Sequence, residues 1–190
     1  MPPVVGLTGG IGSGKSEALE AFRRHGAATL SSDEIVRGLY ERPDVVAAVA
    51  ERFGPAVLAA DGSVDRAALA ARVFGNDGER RALEALLLPL IAVEFGRWRD
   101  AQVAAGQRLL VHEAPTLFEA GIEERYDAIV TVTAPVVLRE QRRPDAAQRM
   151  AAQLPEEEKA RRSDFVYENV GTLEDLDRWV AGVVERLLER

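Results

Sequence analysis

Val4-Val5-Gly6-Leu7-Thr8-Gly9-Gly10-Ile11-Gly12-Ser13-Gly14-Lys15-Ser16 is the stretch that decides the fold. Its first five residues form a short apolar run ending in glycine, the pattern of a buried strand. Gly9 to Gly14 is a glycine-rich turn. Ser16 to Arg24 strings together good helix formers, with Leu19 and Phe22 on one face. His25-Gly26 ends that helix, and Ala27 to Leu30 predicts a second strand. Strand, turn, helix and strand within thirty residues make a βαβ unit. Gly9 to Ser16 fits the spacing G-x-x-x-x-G-K-[ST] in full. Glycines at Gly9, Gly10, Gly12 and Gly14 allow positive φ and let backbone N–H groups come close to a phosphate. The helix that follows points its positive end at the same anion. Lys15 adds a flexible point charge for the outer phosphates, and the Ser16 hydroxyl is placed to ligate Mg²⁺. The loop Gly10, Ile11, Gly12, Ser13, Gly14, Lys15, Ser16 and Glu17 is therefore the expected nucleotide-phosphate site.

Outward from this loop the pattern changes. Helical segments are expected at 34–40, 44–53, 66–74, 79–87 and 90–105. Turns fall between them at Arg42-Pro43, Gly54-Pro55, Asp61-Gly62 and Asn76-Asp77-Gly78. Strands return at 108–112 and 127–133. The second of these, Ala128-Ile-Val-Thr-Val-Thr133, is β-branched and nearly unbroken, as a central parallel strand should be. Helical segments follow to 154 and from 155 to about 162. Phe165-Val166-Tyr167 predicts a last strand, and Thr172-Leu173-Glu174-Asp175 a capping box that opens a final helix. Glu156-Glu157-Glu158 reads as a solvated helix start, where carboxylates suit the helix dipole.

Composition sets limits on function. The 190 residues carry 24 Lys+Arg against 31 Asp+Glu, a net charge of −7, which argues against a nucleic-acid partner. With 47% hydrophobic residues the chain can bury a real core. There is no cysteine, which removes disulfides, zinc–thiolate sites and cysteine nucleophiles, and fits a cytoplasmic setting. No segment reads as a signal peptide or membrane span. Only two of the cationic residues are Lys, Lys15 and Lys159. At Lys15 a compact ammonium must curl against phosphates, and Arg does not serve there. Lys159 has no such explanation in the sequence.

Several segments in order resemble the dephospho-CoA kinase family. They are 5–16, Ser32-Asp33-Glu34-Ile35-Val36-Arg37, Asp61-Gly62-Ser63-Val64-Asp65-Arg66 with Val73-Phe74, Leu86-Leu87-Leu88-Pro89-Leu90-Ile91, Pro115-Thr116-Leu117-Phe118-Glu119-Ala120-Gly121, Ala151-Ala152-Gln153 and Asn169-Val170-Gly171. The resemblance implies an α/β P-loop NTPase three-layer fold with a parallel central sheet, a helical substrate-binding insertion and a short lid. It implies one domain over 1–190. Its nucleotide-binding core would comprise 1–33, 107–135 and 164–190, its helical CoA-binding region 34–106 and its lid 136–163. The implied activity is transfer of the ATP γ-phosphate to the ribose 3′-hydroxyl of dephospho-CoA, with Mg²⁺. A nucleoside monophosphate kinase-like enzyme and a non-catalytic nucleotide-binding regulator are the alternatives.

The resemblance implies Asp33 as the base that takes the hydroxyl proton; on position alone Asp33 equally caps the next helix. Arg142, with Arg143 beside it, is either a lid arginine reaching the phosphates or a solvated helix end. Asn169 joins the ATP site by resemblance. Pro115, Leu117, Phe118 and Glu119 are assigned to the acceptor in the same way. Arg37 and Arg66 either meet anionic groups of CoA or pair with Glu34 and Asp65. Phe74 and Phe118 are core or pocket wall. Glu113 either holds Mg²⁺ through water or is a polar strand end, and His112 beside it is structural. Three positions depart from the family pattern: Ser31 replaces its first Asp, Glu17 its Thr and Leu88 its His. The stretch 142–153 is also shorter than the family lid.

Overall fold

In the computed structural model, which describes residues 1–143 and 153–189, β1 (Val4–Gly9) is the middle strand of a five-stranded sheet. The others are β2 (Ala28–Ser31), β3 (Leu110–Glu113), β4 (Ala128–Thr133) and β5 (Phe165–Glu168). Their order is β2-β3-β1-β4-β5 and all pair in parallel. From β1 the chain crosses to the edge strand β2, returns to β3 and then passes β1 to reach β4, so the direction of the connections reverses between β3 and β1. Ligands in open α/β sheets bind at the carboxyl ends of the strands at such a reversal. The carboxyl end of β1 is Gly9, where the glycine-rich loop starts.

Parallel strands covered on both faces must be apolar in nearly every position. Val5, Leu7, Val111, Val130 and Val132 point to one face, onto α1 (Lys15–Arg24) and the final helix. Phe22 of α1 and Val180 in that final helix are fully buried there. The other face carries Ile129, which packs with Ala114, Leu117 and Phe118 from the turn after β3. Gly6 lies on that face because nothing larger fits: a Cβ there would sit 2.5 Å from Leu117 Cδ1 and 3.1 Å from the Tyr126 ring. Helix, sheet and turn layers thus enclose the core on both sides.

The chain divides into two compact units, Met1–Ser31 with Arg99–Arg190, and Ser32–Trp98. The second is all helical. It holds α2 (Ser32–Leu39), α3 (Pro43–Phe53), α4 (Arg66–Val73) and most of α5 (Asp77–Ala104), with Val45, Val49, Phe53, Val57 and Leu69 buried. Asp65 caps α4, its carboxylate accepting the N–H groups of Ala67 and Ala68 at 3.0 Å each. One expectation fails here. The segments 79–87 and 90–105 form a single helix that runs through Pro89. Proline removes one hydrogen bond and crowds the preceding turn. The long runs of helix formers on both sides carry the chain through, and Leu87 and Phe95 are buried on either side of it.

The first unit continues after β4 with α6 (Val136–Arg142), α7 (Glu156–Arg161) and α8 (Leu173–Leu188). The capping box forms as expected. Thr172 Oγ1 accepts the Asp175 N–H at 3.2 Å, and Asp175 Oδ2 accepts the Thr172 N–H at 3.0 Å. The middle of the expected lid, with Ala151 and Ala152, lies outside the described residues. Among the described residues no helix is long and apolar enough to cross a membrane.

His112 is buried on β3, its Nδ1 2.8 Å from the Tyr126 hydroxyl. Burial, helped by the nearby Arg125 charge, pulls its imidazole down to about 4, and burial pushes the Tyr126 phenol up. The unfolded chain therefore takes up a proton near pH 6.5 that the folded chain refuses until about pH 4. Stability from this group is present above pH 6.5 and falls between the two values, by about 3 kcal/mol at roughly 1.4 kcal/mol per pKa unit. Urea unfolding at steps from pH 7 to pH 4 should show a shallower decline for His112→Gln than for the parent chain. Parallel declines would mean that His112 takes no part.

Candidate active site

The Gly9–Ser16 loop is built by its carbonyls. Four successive main-chain oxygens each accept from a cationic or amide side chain. Gly10 O accepts from Lys15 Nζ at 3.0 Å and Ile11 O from Arg139 Nε at 2.9 Å. Gly12 O accepts from Arg142 Nη1 at 3.3 Å and Ser13 O from Asn169 Nδ2 at 2.8 Å. Turning the negative ends of these dipoles onto donors leaves the loop suited to an anion rather than hostile to one.

The glycines have a second reason beyond positive φ. A Cβ at Gly9 would run into the Val132 carbonyl, at Gly10 into Arg139 and Glu156, and at Gly14 into the Asn169 amide. At Gly12 it would meet the Arg139 carbonyl oxygen at 2.8 Å. Gly12 and Gly14 also have φ of 76° and 100°, which side-chain-bearing residues rarely adopt. Gly14 is the N-cap of α1, so the loop ends on the positive pole of a helix of 10 residues. Ser16 and Glu17 are exposed in its first turn.

Three elements remote in sequence hold this loop. Arg139 comes from α6, Asn169 from just after β5, and Glu156 from the start of α7. Asn169 is anchored in turn by its own N–H, donated to Thr133 O at 2.8 Å. Arg142 also reaches Asn169 O at 3.4 Å. Arg139, 4% exposed, pairs with Glu156 at 3.2 Å. Glu156 Oε1 accepts the Gly10 N–H at 2.9 Å, and its Oε2 accepts the Ala134 N–H at 3.3 Å. The expectation that Glu156 is a solvated carboxylate is corrected: it is folded inward against the loop, because a main-chain donor and a buried guanidinium await it there. Arg139 is one arginine among many, and nothing in the sequence singles it out. Lys159 does have a signal, as one of two lysines, and it proves fully buried beside Glu119 at 2.8 Å.

Glu113 is buried at the end of β3, opposite Leu7 of β1 and Ser31 of β2 in the strand register. Ser31 Oγ donates to Glu113 Oε2 at 2.7 Å. A carboxylate at position 31 would face Glu113 as a like charge; the serine supplies a donor instead. Among the described residues there is no group of three or more His, Asp or Glu able to hold a metal by themselves. Hard cations that bind beside phosphates take much of their coordination from the phosphates and water, so they need few protein ligands.

Leu117 and Phe118 are buried, and Arg162 stacks over the Phe118 ring at 4.4 Å. Pro115 and Glu119 remain partly accessible in the same turn. In the helical unit Asp33 and Arg37 are exposed on α2, and Phe74 is exposed just after α4. Arg66, exposed at the start of α4, stands near enough to Tyr40 to oppose the rise that burial imposes on its phenol. Asp65 serves as the cap of α4.

The dephospho-CoA kinase family profile matches residues 3–175. A dephospho-CoA kinase of Anaeromyxobacter dehalogenans is 40% identical over 97% of this chain and 90% of its own length. A crystal structure from Thermus thermophilus shares 34% identity, covers 98% of both chains and superposes with a TM-score of 0.81. A Campylobacter jejuni dephospho-CoA kinase, at 18% identity and a TM-score of 0.66, shares the fold.

The Arg139 fork reaches Ile11 O and Glu156 at once, which an ammonium cannot do in the same geometry. Arg139→Lys should weaken ATP binding about tenfold, since hydrogen bonds to charged groups are worth roughly 1.5–3 kcal/mol. Calorimetric titration with ATP reads this directly, and an unchanged affinity would remove Arg139 from the loop's support.

Proposed function

The chain belongs to the dephospho-CoA kinase family, and from that premise we propose how it transfers the γ-phosphoryl group of ATP to the ribose 3′-hydroxyl of dephospho-CoA. The observation that carries this reading is the loop itself. It has the full phosphate-binding spacing, it closes onto the N-terminus of α1, and it stands at the carboxyl end of the central strand.

Phosphoryl transfer asks a protein chiefly for position and charge stabilisation. The loop amides and Lys15 take the β- and γ-phosphates, with Lys15 leaving Gly10 O to do so. Arg142, already at the loop, adds a guanidinium to the charge that spreads over the transferring oxygens. The acceptor oxygen attacks the γ-phosphorus as the bond to the β–γ bridging oxygen breaks. ADP departs and the hydroxyl proton passes to the Asp33 carboxylate. Asn169 keeps the loop's last carbonyl engaged throughout. Mg²⁺, held by Ser16 and the phosphates with Glu113 acting through water, would neutralise the developing charge. For the acceptor, Arg37, Arg66 and Phe74 of the helical unit and the Pro115–Glu119 turn supply cations, an exposed ring and polar edges. The Ser31–Glu113 hydrogen bond replaces one carboxylate of the family pattern without removing Lys15, Ser16 or Asp33.

The test is turnover of dephospho-CoA by the purified chain with Mg-ATP, run beside AMP and CMP as acceptors. CoA formation should be abolished in Lys15→Ala. Asp33→Asn should lower kcat by about a hundredfold or more, in line with the 10²–10⁴ typical of a positioned base, with ATP affinity unchanged. Turnover confined to a nucleoside monophosphate, or ATP binding without turnover, would contradict this function. A fall in ATP affinity at unchanged rate would move Asp33 from the base to a structural part.

A further inference from the structure

Lys159 sits in the most highly charged stretch of the chain, Glu156-Glu157-Glu158-Lys159-Ala160-Arg161-Arg162, yet its side chain is wholly buried. Its ammonium donates to the main-chain oxygen of Pro115 at 2.8 Å and lies 2.8 Å from Glu119 Oε1. The Pro115 oxygen also accepts the Thr8 hydroxyl at 3.2 Å. Glu119 Oε1 also accepts the Leu154 N–H at 2.8 Å. One cation thus ties together the end of β1, the turn after β3 and the chain entering α7.

Taking an ammonium out of water costs several kcal/mol, even when it is paired. The surroundings do not ask for it, since Ala114, Leu117, Phe118 and Ile129 make that layer apolar. Buried pairs can often be replaced by apolar residues with no loss of stability, so stability alone is a weak reason to keep one. Choice of residue points the same way. The chain uses arginine for all but two of its cationic residues, and the other lysine is Lys15 in the phosphate loop. A flexible stem with a compact head can meet a carbonyl and a carboxylate in a closed space; a planar guanidinium needs more room.

We propose that Lys159 is a positioning residue for the acceptor. It fixes the Pro115 carbonyl and the Glu119 carboxylate, and through them the shape that the 115–119 turn offers to dephospho-CoA. This rests on the reading of that turn as part of the acceptor site. It gives Lys159 no contact with either substrate and no part in ATP binding.

The experiment compares the parent chain with Lys159→Arg and with the double variant Lys159→Met/Glu119→Leu, which removes both charges together. Melting temperature is measured, and KM is determined for each substrate with the other saturating. The double variant should melt within a few degrees of the parent. Its KM for dephospho-CoA should rise about tenfold, roughly one broken charged contact, with KM for ATP unchanged. Lys159→Arg should show the same one-sided defect even if the double variant fails to fold. A parental KM for dephospho-CoA in a folded variant overturns the proposal. So does a rise in both KM values alongside a fall in melting temperature, which marks a purely structural lysine. Hydrogen exchange separates the premise from the proposal. If dephospho-CoA leaves the amides of 116–120 unprotected in the parent chain, the turn is not acceptor site and both readings fall. If it protects them while the folded variants keep the parental KM, only the role of Lys159 falls.

Discussion

The capture of four successive carbonyls, Gly10 to Ser13, by Lys15, Arg139, Arg142 and Asn169 is the interaction on which the rest of the site depends. A glycine-rich loop left to itself samples many conformations, and ordering it costs about 1–2 kcal/mol per residue. Here that cost is met within the folded chain. Donors from α6 and from the end of β5 fix the loop from outside, and the glycines let those donors come within a Cβ's breadth of the backbone. A phosphate then meets a loop already ordered, and less of its binding energy goes into shaping it. The same arrangement explains why the elements after β4 belong to the nucleotide site despite their distance in sequence.

Charge placement, rather than net charge, reconciles an acidic chain with a polyanionic pair of substrates. The buried ionic groups at the loop are in pairs or networks. Arg139 is matched by Glu156, and Glu156 is matched again by two main-chain N–H groups. Lys159, farther along the helix that Glu156 opens, is matched by Glu119 and a carbonyl. Each such group is costly to bury and costly to strand, so each fixes geometry more firmly than an apolar contact would. By contrast, pairs such as Arg23–Glu20 and Arg178–Asp175 lie at the surface, where they contribute little.

Much of this was legible in the sequence, and the limits have physical causes. The strand–loop–helix of 4–24 and the capping box at Thr172 are local, so their chemistry lies within a few adjacent residues. The parallel strand β4 could be recognised because burial on both faces demands a nearly unbroken run of apolar and β-branched residues. Helix α5 runs on through Pro89, where local pattern marks a break, because the penalty of one proline is local while the support of the flanking turns is summed along the helix. Glu156 and Arg139 were invisible as site residues, since their meaning comes from a contact 128 to 146 positions away in the chain. Leu117 and Phe118, which carry the motif's pattern, are buried beside Ile129. Lys159 was visible only as an oddity of composition; its reason is a carboxylate and a carbonyl of the 115–119 turn that no spacing rule predicts.

A crystal structure of the chain with Mg²⁺ and a non-hydrolysable ATP analogue tests the central claim most directly. A loop fixed in advance by its carbonyls predicts that Arg139–Ile11, Asn169–Ser13 and Glu156–Gly10 stay within hydrogen-bonding distance. Only Lys15 should leave Gly10 O, turning to the phosphates. A nucleotide bound to a loop that has refolded, with those three bonds broken and new main-chain torsions at Gly12 and Gly14, would contradict it.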